Sequence, residues 1–591
     1  MSDPPPRARR PWLTAALPAL LVAGGLLWNW QLARTCPLWV VNHTPQDAQI
    51  LRGEERLATV LVGQTQAIPL GEGRHALRIE RREGAEEVQV ELRRGFWERF
   101  ADRAPYVLNV ARAAALRWEE GVYAGGDDVR PPRPPRVWVG ESFLRVEEVD
   151  YVFRPLPDAL EGSAPGGERA TSLTALHGGI LQALGAFPRA TPPEVQLRFL
   201  ALRLPLEPAD VAALDYLLEL SREEGRLEQA QQVLRGMLGR RPPLIDWHRA
   251  HQDLARELSG EDAVRAEYAR LAAAEPQDAA LQYLAGRLEA DPAAAEARYA
   301  RALELDPGLG WAWHGRAWLR AARGELGPAR EAALEAVRAL PGAPEVQAQA
   351  WQLRLLDGQA AEVRAELLAR EQERGLEPGH LRRLLEACLA AGDLEGARAA
   401  CGRYAGAREG SRQPGASRRA LLAELTLDEL EGRWEQVLAR LEGLDRPGAR
   451  ELLRAAALLE LGRLEELEPL LAPAGPLASA TREPLLLSLA WSLRGEEARA
   501  VRWREVAAER LAAGSARERL AARALRAADP LAELPRVALG VGDQAALLLT
   551  LAAAHPQARA QLLARAAPLV ARGELFPARY LRRVQAALEA R

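Results

Sequence analysis

The fold is decided by residues 310–343, which read GWAWHGRAWLRAARGELGPAREAALEAVRALPGA. Small and apolar residues recur every three or four positions on both sides of a glycine, Gly324, and a proline, Pro341, follows the second run. This spacing predicts two helices joined by a short turn, with the proline marking the end of the unit. A helix pair of this size cannot bury its apolar face alone, so neighbouring pairs are expected to stack on it.

The turn glycine recurs along the chain at nearly constant distance. Glycines stand at positions 225, 260, 324, 358, 392, 432, 462 and 495, which gives intervals of 35, 64, 34, 34, 40, 30 and 33 residues. The one long interval is close to two periods. A period near 34 residues in a background rich in Ala, Leu, Arg and Glu predicts a solenoid of stacked helix–turn–helix units. Such an architecture binds other molecules far more often than it carries out chemistry.

The unit at 310–343 resembles the tetratricopeptide repeat family. The resemblance is carried by the aromatic and small residues of the first helix, the turn glycine, two alanines of the second helix and the closing proline: Trp313, Ala317, Gly324, Ala329, Ala336 and Pro341. The preceding unit ends in the similar sequence YARALELDP at 299–307. The resemblance is good over about 210–405, and helix pairs continue beyond the longer loop at 406–417. It implies a superhelix whose first helices line a concave groove for peptides or protein surfaces.

The resemblance also implies which side chains line that groove. By their position in the repeat, Trp311, His314 and Trp318 fall on the concave side of the first helix, whereas Trp313 faces the core. Aromatic side chains in a groove are typical binding anchors. We therefore predict a protein-binding groove at Trp311, His314 and Trp318. The alternative, that these side chains pack against a neighbouring repeat, stays open.

The start of the chain predicts a membrane anchor. Three arginines within residues 1–10 precede an uncharged, mostly apolar run at 11–30. A helix of twenty residues spans the hydrocarbon core of a bilayer. Because positive charge favours the cytoplasmic side, we predict a cytoplasmic tail at 1–10, a transmembrane helix at 11–33, and the bulk of the chain outside the cytoplasm of a bacterium as a single-pass inner-membrane protein. A cleaved signal peptide is the competing interpretation, which the lack of an Ala-x-Ala site disfavours.

Between residues 36 and 124 the apolar period changes from helical spacing to strict alternation. The stretches at 74–80 and 87–92 alternate cleanly and flank a glycine, as in a β-hairpin. We predict a small antiparallel module, similar to a β-sandwich, over 36–124. The sequence LGEGRHALRI at 70–79 resembles the PEGA-type domains of bacterial envelope proteins. That resemblance implies a surface-exposed module near a membrane or wall, without a catalytic role.

Residues 125–171 are rich in proline and glycine and predict a linker. Within it, 137–153 alternates again and predicts a pair of strands. Helical sequence runs from 172 to 591. The predicted architecture is therefore mainly α: a transmembrane helix, a β-rich module, a linker, and a tetratricopeptide-like solenoid at 172–591.

Two pairs of side chains have the spacing of possible ligands or cross-links. His248 and His251 lie three residues apart on one helix face, but no further ligand completes a metal site, so a solvated or packing role is predicted. Cys388 and Cys401 fall on the two helices of one repeat and could form a disulfide or remain buried free thiols. Cys36, directly after the anchor, could cross-link two chains.

The sequence carries no signature of an enzyme. It contains no Walker A, G-x-S-x-G, H-E-x-x-H or C-x-x-C motif. Its 78 basic and 81 acidic residues nearly cancel, which gives no electrostatic case for nucleic acid. We predict no catalytic residue, metal, cofactor or small-molecule substrate. The predicted function is a membrane-anchored, non-catalytic scaffold or adaptor for other proteins in the bacterial cell envelope, and the alternative is a sensory or regulatory ectodomain that works with a separate signalling chain.

Overall fold

The structure is a computed structural model that describes residues 11–82, 84–101, 103–123, 131–158, 168–374, 378–406, 416–444, 447–571 and 577–591, with the side chains of the first helix described from residue 22 on. The chain divides into two compact units, residues 1–258 and residues 259–591. We call them the N-terminal unit and the C-terminal unit and describe each by itself.

The N-terminal unit starts with a long helix, α1 (Pro11–Arg34), and continues into β-structure. Its strands and one short helix are β1 (Cys36–Asn42), β2 (Ala48–Arg52), β3 (Glu55–Val60), β4 (Gln64–Leu70), β5 (Gly73–Arg81), β6 (Gly84–Leu92), α2 (Glu98–Ala101), β7 (Tyr106–Asn109), β8 (Leu116–Tyr123), β9 (Arg136–Trp138), β10 (Phe143–Arg145), β11 (Tyr151–Val152) and β12 (Glu168–Ala175).

These strands form four-stranded sheets with the orders β10-β7-β1-β4, β3-β2-β5-β6 and β11-β12-β8-β9. The hairpin predicted from alternation is confirmed, because β5 pairs antiparallel with β6 from Gly73↔Leu92 to Arg81↔Gly84. Its apolar face is buried through Leu77, Ile79, Val88 and Val90. The β-module is not purely antiparallel, however, since β1 also pairs parallel with β7.

The region predicted to be a linker contributes strands to these sheets. β9, β10 and β11 lie close to the predicted strand pair at 137–153, but they pair with β8, β7 and β12 rather than with one another. The predicted start of the helical region, residue 172, falls inside β12, which pairs with β8 along its whole length. The pairing buries Leu173 and Ala175 against Trp118 and its neighbours, and this apolar contact extends the sheet past the predicted boundary.

Helices follow β12 within the same unit: α3 (Ile180–Gly185), α4 (Pro193–Arg203), α5 (Val211–Glu223), α6 (Leu227–Met237) and α7 (Ile245–Ser259). They share one apolar cluster with Ala115 and Val139 of the β-module, to which Phe199, Leu217 and Trp247 contribute. The first helix pairs therefore form one compact body with the sheets.

The C-terminal unit is a helical solenoid. Its helices are α8 (Glu261–Ala274), α9 (Ala279–Leu288), α10 (Pro292–Leu305), α11 (Gly310–Ala322), α12 (Leu326–Ala339), α13 (Pro344–Leu356), α14 (Ala360–Arg374), α15 (Pro378–Ala390), α16 (Leu394–Gly406), α17 (Ala416–Leu430), α18 (Trp434–Arg440), α19 (Pro447–Leu461), α20 (Leu464–Leu471), α21 (Arg482–Leu493), α22 (Glu497–Ala513), α23 (Ala516–Arg526), α24 (Pro530–Glu533), α25 (Val541–Ala554), α26 (Arg559–Val570) and α27 (Ala578–Glu589). Most of them pack against the helices next to them in sequence.

The turns between paired helices confirm the role predicted for the periodic glycines. All eight have a positive φ, between 63° and 91°, a region that side-chain-bearing residues rarely adopt. At Gly324 the amide donates to the carbonyl oxygen of Ala321 and the next amide, of Glu325, to that of Arg320, which ends α11. Small side chains then let the two helices approach closely, since Ala317, Ala329 and Ala333 are all fully buried.

The predicted membrane anchor corresponds in its bounds to α1. Among the helices whose side chains are described, none combines the length and apolarity needed to cross a membrane. The first part of α1 lies outside those side chains, and the predicted cytoplasmic tail at 1–10 lies outside the described residues. The anchor therefore stays a prediction.

Candidate functional site

The residues predicted to line a groove lie on α11, but they do not form an open aromatic surface. Trp311 keeps only 7% of its surface exposed and packs edge-on against His314, with ring centroids 5.8 Å apart. His314 and Trp318 are half-buried. Trp313, predicted to face the core, is also half-buried; its Nε1 donates to the carbonyl oxygen of Pro307 at 3.0 Å. Trp313 packs against the apolar cluster of α11 and α12 as predicted, whereas the prediction that Trp311 lines an open groove is wrong, because its side chain is buried.

The physical reason is that helices from the end of the chain cover this face. The guanidinium of Arg517, in the first turn of α23, lies over the ring of Trp318 at 4.5 Å. Its Nε donates to the carbonyl oxygen of Glu289 at 3.3 Å and its Nη2 to that of Arg287 at 3.4 Å. These two carbonyl groups belong to the end of α9, where the helix dipole favours a positive charge.

A second set of contacts fixes the first turn of α23. The backbone amide of Ala516 donates to a carboxylate oxygen of Glu261. Arg519 lies 3.6 Å from the Glu261 carboxylate and 3.4 Å from that of Asp262. Ser515 caps the same turn in a capping box with Glu518. We call this set, residues 515–519 with Glu261, Asp262, Arg287, Glu289 and Trp318, the closure contact.

Further contacts extend the cover along α11. Val541, at the start of α25, packs against the buried alanines of α11 and α12. The turn at Gly324 lies against Pro568 of α26. A cavity of about 440 Å³ remains between these elements, lined by Ala293, Ala322, Arg323, Leu534, Pro535, Val537, Gln544, Leu548 and Arg565. We call the side of α11 that carries Trp318 the inner face, and it is thus covered in part by the chain itself.

The hydroxyl group of Tyr299 also interacts with Arg517. Burial raises the pKa of its hydroxyl, while the positive charge of Arg517 and a hydrogen bond from it oppose that rise. The ring also fills the space beside Gly286 and Gly315, where an added Cβ would come within 3 Å of it. Arg517 therefore meets an aromatic surface that the repeat packing holds in place.

His248 and His251 are both buried in the N-terminal unit. Burial, followed by the charge of His251, lowers the pKa of His248 to about 4, so its imidazole is neutral at physiological pH. The described part of the chain brings no three His, Cys, Asp or Glu side chains together as a metal site would require. Because both imidazoles are buried, the structure supports the predicted packing role of His248 and His251 rather than the solvated one.

All three cysteines are buried, and none is in a disulfide. Cys388 and Cys401 belong to one apolar cluster, and burial raises the pKa of each thiol to about 11, which keeps both protonated and unreactive. Cys36 retains 1% exposure as the first residue of β1 in the sheet core. The predicted cross-link between two chains through Cys36 is wrong for this reason.

One exposed feature was missed by the sequence analysis. Phe96, Trp97 and Phe100 form a solvent-exposed cluster, which we call the aromatic patch. Its signal was present in the sequence GFWERF at 95–100, because only 5% of the chain is aromatic.

Neither the comparison with protein-family models nor that with curated proteins finds a match to this chain. Among solved structures, the chain is similar to a tetratricopeptide repeat protein from Parabacteroides merdae, with 18% identity, 39% of this chain and 92% of that chain covered, and a TM-score of 0.25. It is also similar to a chain of Naa15/Naa10 bound to HypK-THB, with 15% identity, 64% and 61% covered, and a TM-score of 0.22. Because these TM-scores are low, the assignment of a helical solenoid is based on the helix pairs and glycine turns described above. The PEGA resemblance stays a prediction.

Proposed function

We propose that this chain is a non-catalytic protein–protein interaction scaffold of the bacterial cell envelope. In this proposal residues 11–33 anchor it in the inner membrane, residues 1–10 are cytoplasmic, and both units are extracytoplasmic. Its partners are proteins or peptides that bind the inner face of the solenoid. The observation that supports this most directly is that the inner face already holds a helix, α23 of the same chain.

The closure contact indicates what kind of ligand this face takes. The ring of Trp318 and the carbonyl oxygens at the end of α9 together receive a guanidinium, which combines a cation–π contact with hydrogen bonds. Glu261 accepts from the first amide of the bound helix, where a negative charge is favoured. A partner is therefore expected to present a helical segment with an arginine in its first turn.

The closure contact is also of a kind that can open. It is built from ion pairs and hydrogen bonds at half-exposed positions, and such pairs contribute little individually. The rest of α23 is held by the large apolar cluster of the last helices, to which Ala521, Ala524 and Leu525 belong, so opening the closure contact releases only the first turn of α23 from α8–α11. We propose that a partner helix competes with α23 for Trp318.

The test is a pull-down with the detergent-solubilised full-length chain and three single variants. Arg517→Ala weakens the competing intramolecular contact, so partner capture is expected to rise by roughly fivefold, corresponding to about 1 kcal/mol. Arg523→Ala is the matched control, because Arg523 lies on the same helix and pairs only at the surface with Glu533.

The third variant, Trp318→Ala, removes the surface on which the partner arginine would lie. It is expected to abolish the capture that Arg517→Ala enhances, while circular dichroism remains that of the parent. Unchanged capture by a folded Trp318→Ala chain would place the binding surface elsewhere. Failure of every form to capture a protein would contradict the scaffold function itself.

A further inference from the structure

The aromatic patch is exposed to an extent unusual for side chains of this size. Trp97 exposes 79% of its surface, and Phe96 and Phe100 each expose more than two fifths. The rings pack on one another, with centroids 5.0 Å apart for Phe96 and Trp97 and 5.7 Å apart for Phe96 and Phe100. Contiguous apolar surface of this kind marks an interaction site more often than single exposed residues do.

The patch is held beside the end of α1 by hydrogen bonds. The Nδ2 of Asn29 donates to the carbonyl oxygen of Phe96 at 2.8 Å, and the Nη1 of Arg99 donates to the Oδ1 of Asn29 at 2.6 Å. Arg94 donates through Nη2 to the carbonyl oxygen of Leu32 at 2.6 Å. Asn29 is therefore almost fully buried, and the patch lies level with the last turns of the helix.

The half-buried carboxylate of Glu72 adds further bonds to this joint. The Glu72 carboxylate lies 2.7 Å from Arg99 and 3.4 Å from Arg94, and its backbone amide donates to the carbonyl oxygen of Ala33 at 2.8 Å. Burial alone would raise the pKa of Glu72, but the hydrogen bond and charge of Arg99, with help from Arg94, hold it below its ordinary value. The orientation of the patch relative to α1 is thus fixed by several bonds at once.

The neighbouring part of α1 is apolar and exposed on more than one side. Val22, Leu26, Leu27, Trp28 and Trp30 each expose more than half of their surface. At 3.6 residues per turn these positions spread around more than half of the helix. A helix with apolar residues around its circumference is typical of a membrane-embedded segment, and tryptophans at its end are typical of the layer between hydrocarbon and water.

We propose that the aromatic patch inserts into the headgroup layer of the bilayer that α1 enters, and so docks the N-terminal unit on the membrane surface. This inference rests on the proposed membrane anchor. Rings of Trp and Phe are favoured at this depth, where Trp28 and Trp30 would lie alongside them. The exposed guanidinium of Arg34, stacked on Trp30 at 4.1 Å, lies where it can meet lipid phosphates.

The experiment uses the full-length chain reconstituted into liposomes of phosphatidylethanolamine and phosphatidylglycerol. Because Cys36, Cys388 and Cys401 are buried, an environment-sensitive fluorophore can be attached selectively to a new cysteine at Trp97→Cys or Val62→Cys. Val62 is half-exposed and is the matched control. It lies near Asn42, at the end of the β1–β4 ladder opposite to α1, roughly 20 Å away by strand length.

A nitroxide carried on the lipid headgroups serves as the quencher, and alkaline carbonate extraction of the same liposomes reports the anchor. We expect extraction to leave the chain in the bilayer, with fluorescence at position 97 lowered at least about twofold and that at position 62 unchanged. A chain that resists extraction but shows equal signals at both positions would overturn the docking and leave the anchor standing. A chain released by carbonate would overturn the anchor and the docking together.

A triple variant of the aromatic patch distinguishes docking by the patch from simple proximity of the N-terminal unit to the bilayer. A fluorophore at Arg93→Cys, next to the patch, should be quenched in the parent and should lose that quenching when Phe96, Trp97 and Phe100 are all replaced by serine. Retained quenching in the triple variant would show that the rings do not make the contact. Protection of position 97 by a cross-linked protein in cells, with no quenching in liposomes, would assign the patch to a protein partner and overturn the proposal.

Discussion

Among the residues that the structure describes, the N-terminal unit buries more polar side chains than the C-terminal unit, although the C-terminal unit is larger. The C-terminal unit is built from leucine and alanine, and its large apolar cluster centres on residues such as Trp491 and Leu547. The N-terminal unit places His43, His248 and Arg203 among its buried side chains. Packing between neighbouring repeats follows the sequence period, whereas in both units contacts between segments far apart in sequence involve arginines, such as Arg203 and Arg517, that no period marks.

The largest effect is expected from the apolar core of the solenoid. Trp491 is 1% exposed among leucines of α19–α27, so Trp491→Ala leaves a cavity and should destabilise the C-terminal unit by about 3–5 kcal/mol. Urea denaturation followed by circular dichroism measures this. A loss below about 1 kcal/mol would mean that the cluster does not carry the stability of this unit.

Low pH is expected to destabilise the N-terminal unit. Burial, followed by the charges of His177 and Arg203, lowers the pKa of His43 to about 4 from an ordinary value of 6.5. Between these values the unfolded chain binds more protons than the folded one, so stability falls as the pH falls from 6.5 towards 4. The loss between pH 7 and pH 5 should be about 2 kcal/mol for His43.

The measurement is urea denaturation of the full chain at both pH values, with a probe in each unit. His248, whose pKa is also lowered to about 4, contributes in the same direction. His43→Gln cannot take up the proton and should show a smaller pH dependence than the parent. Equal acid sensitivity of parent and variant would show that His43 does not cause the loss of stability at low pH.

A smaller effect is expected at the closure contact. Arg517→Ala removes the cation–π contact with Trp318 and the hydrogen bonds to Glu289, Arg287 and Tyr299, and should cost about 1 kcal/mol. Arg523→Ala, with its exposed ion pair to Glu533, should change stability by less than about 0.5 kcal/mol. Hydrogen exchange of α23 should accelerate in the first variant only. Equal exchange in both would show that Arg517 does not hold the helix.

The smallest effect on stability is expected at the aromatic patch. Trp97 buries little of its surface in the folded chain, so Trp97→Ala should change the free energy of unfolding by less than about 0.5 kcal/mol in detergent. Thermal unfolding of parent and variant checks this. A loss of more than 1 kcal/mol, on the scale of a buried side chain, would show that the ring supports the fold rather than a docking surface.

The features that could be predicted from sequence are those with a local cause. The glycine period follows from the left-handed turn that ends each helix, and the hairpin of β5 and β6 follows from alternation on either side of one turn. In contrast, β12 pairs with β8 across roughly fifty residues, and nothing local marks its continuation past residue 172.

The candidate site likewise combines features that have a local cause with contacts between segments far apart in sequence. Helical phase predicts that Trp318 shares a face of α11 with Trp311, and in the structure Arg517 covers its ring. The burial of that face depends on Arg517, almost two hundred residues later, and periodicity carries no information about such a contact. The exposure of Trp97 was not predicted either. The sequence around it is nevertheless unusually rich in aromatic residues for this chain, and that composition is a usable signal.

In the structure α23 covers Trp318, and we propose that it competes there with a partner. A photoreactive phenylalanine analogue placed at position 318 of the full-length chain tests it most directly. We expect an intrachain cross-link to the peptide that contains residues 516–519 in the parent, and a shift to cross-links with another protein when Arg517→Ala is added. Cross-linking at position 318 that never reaches α23, in either background, would contradict it.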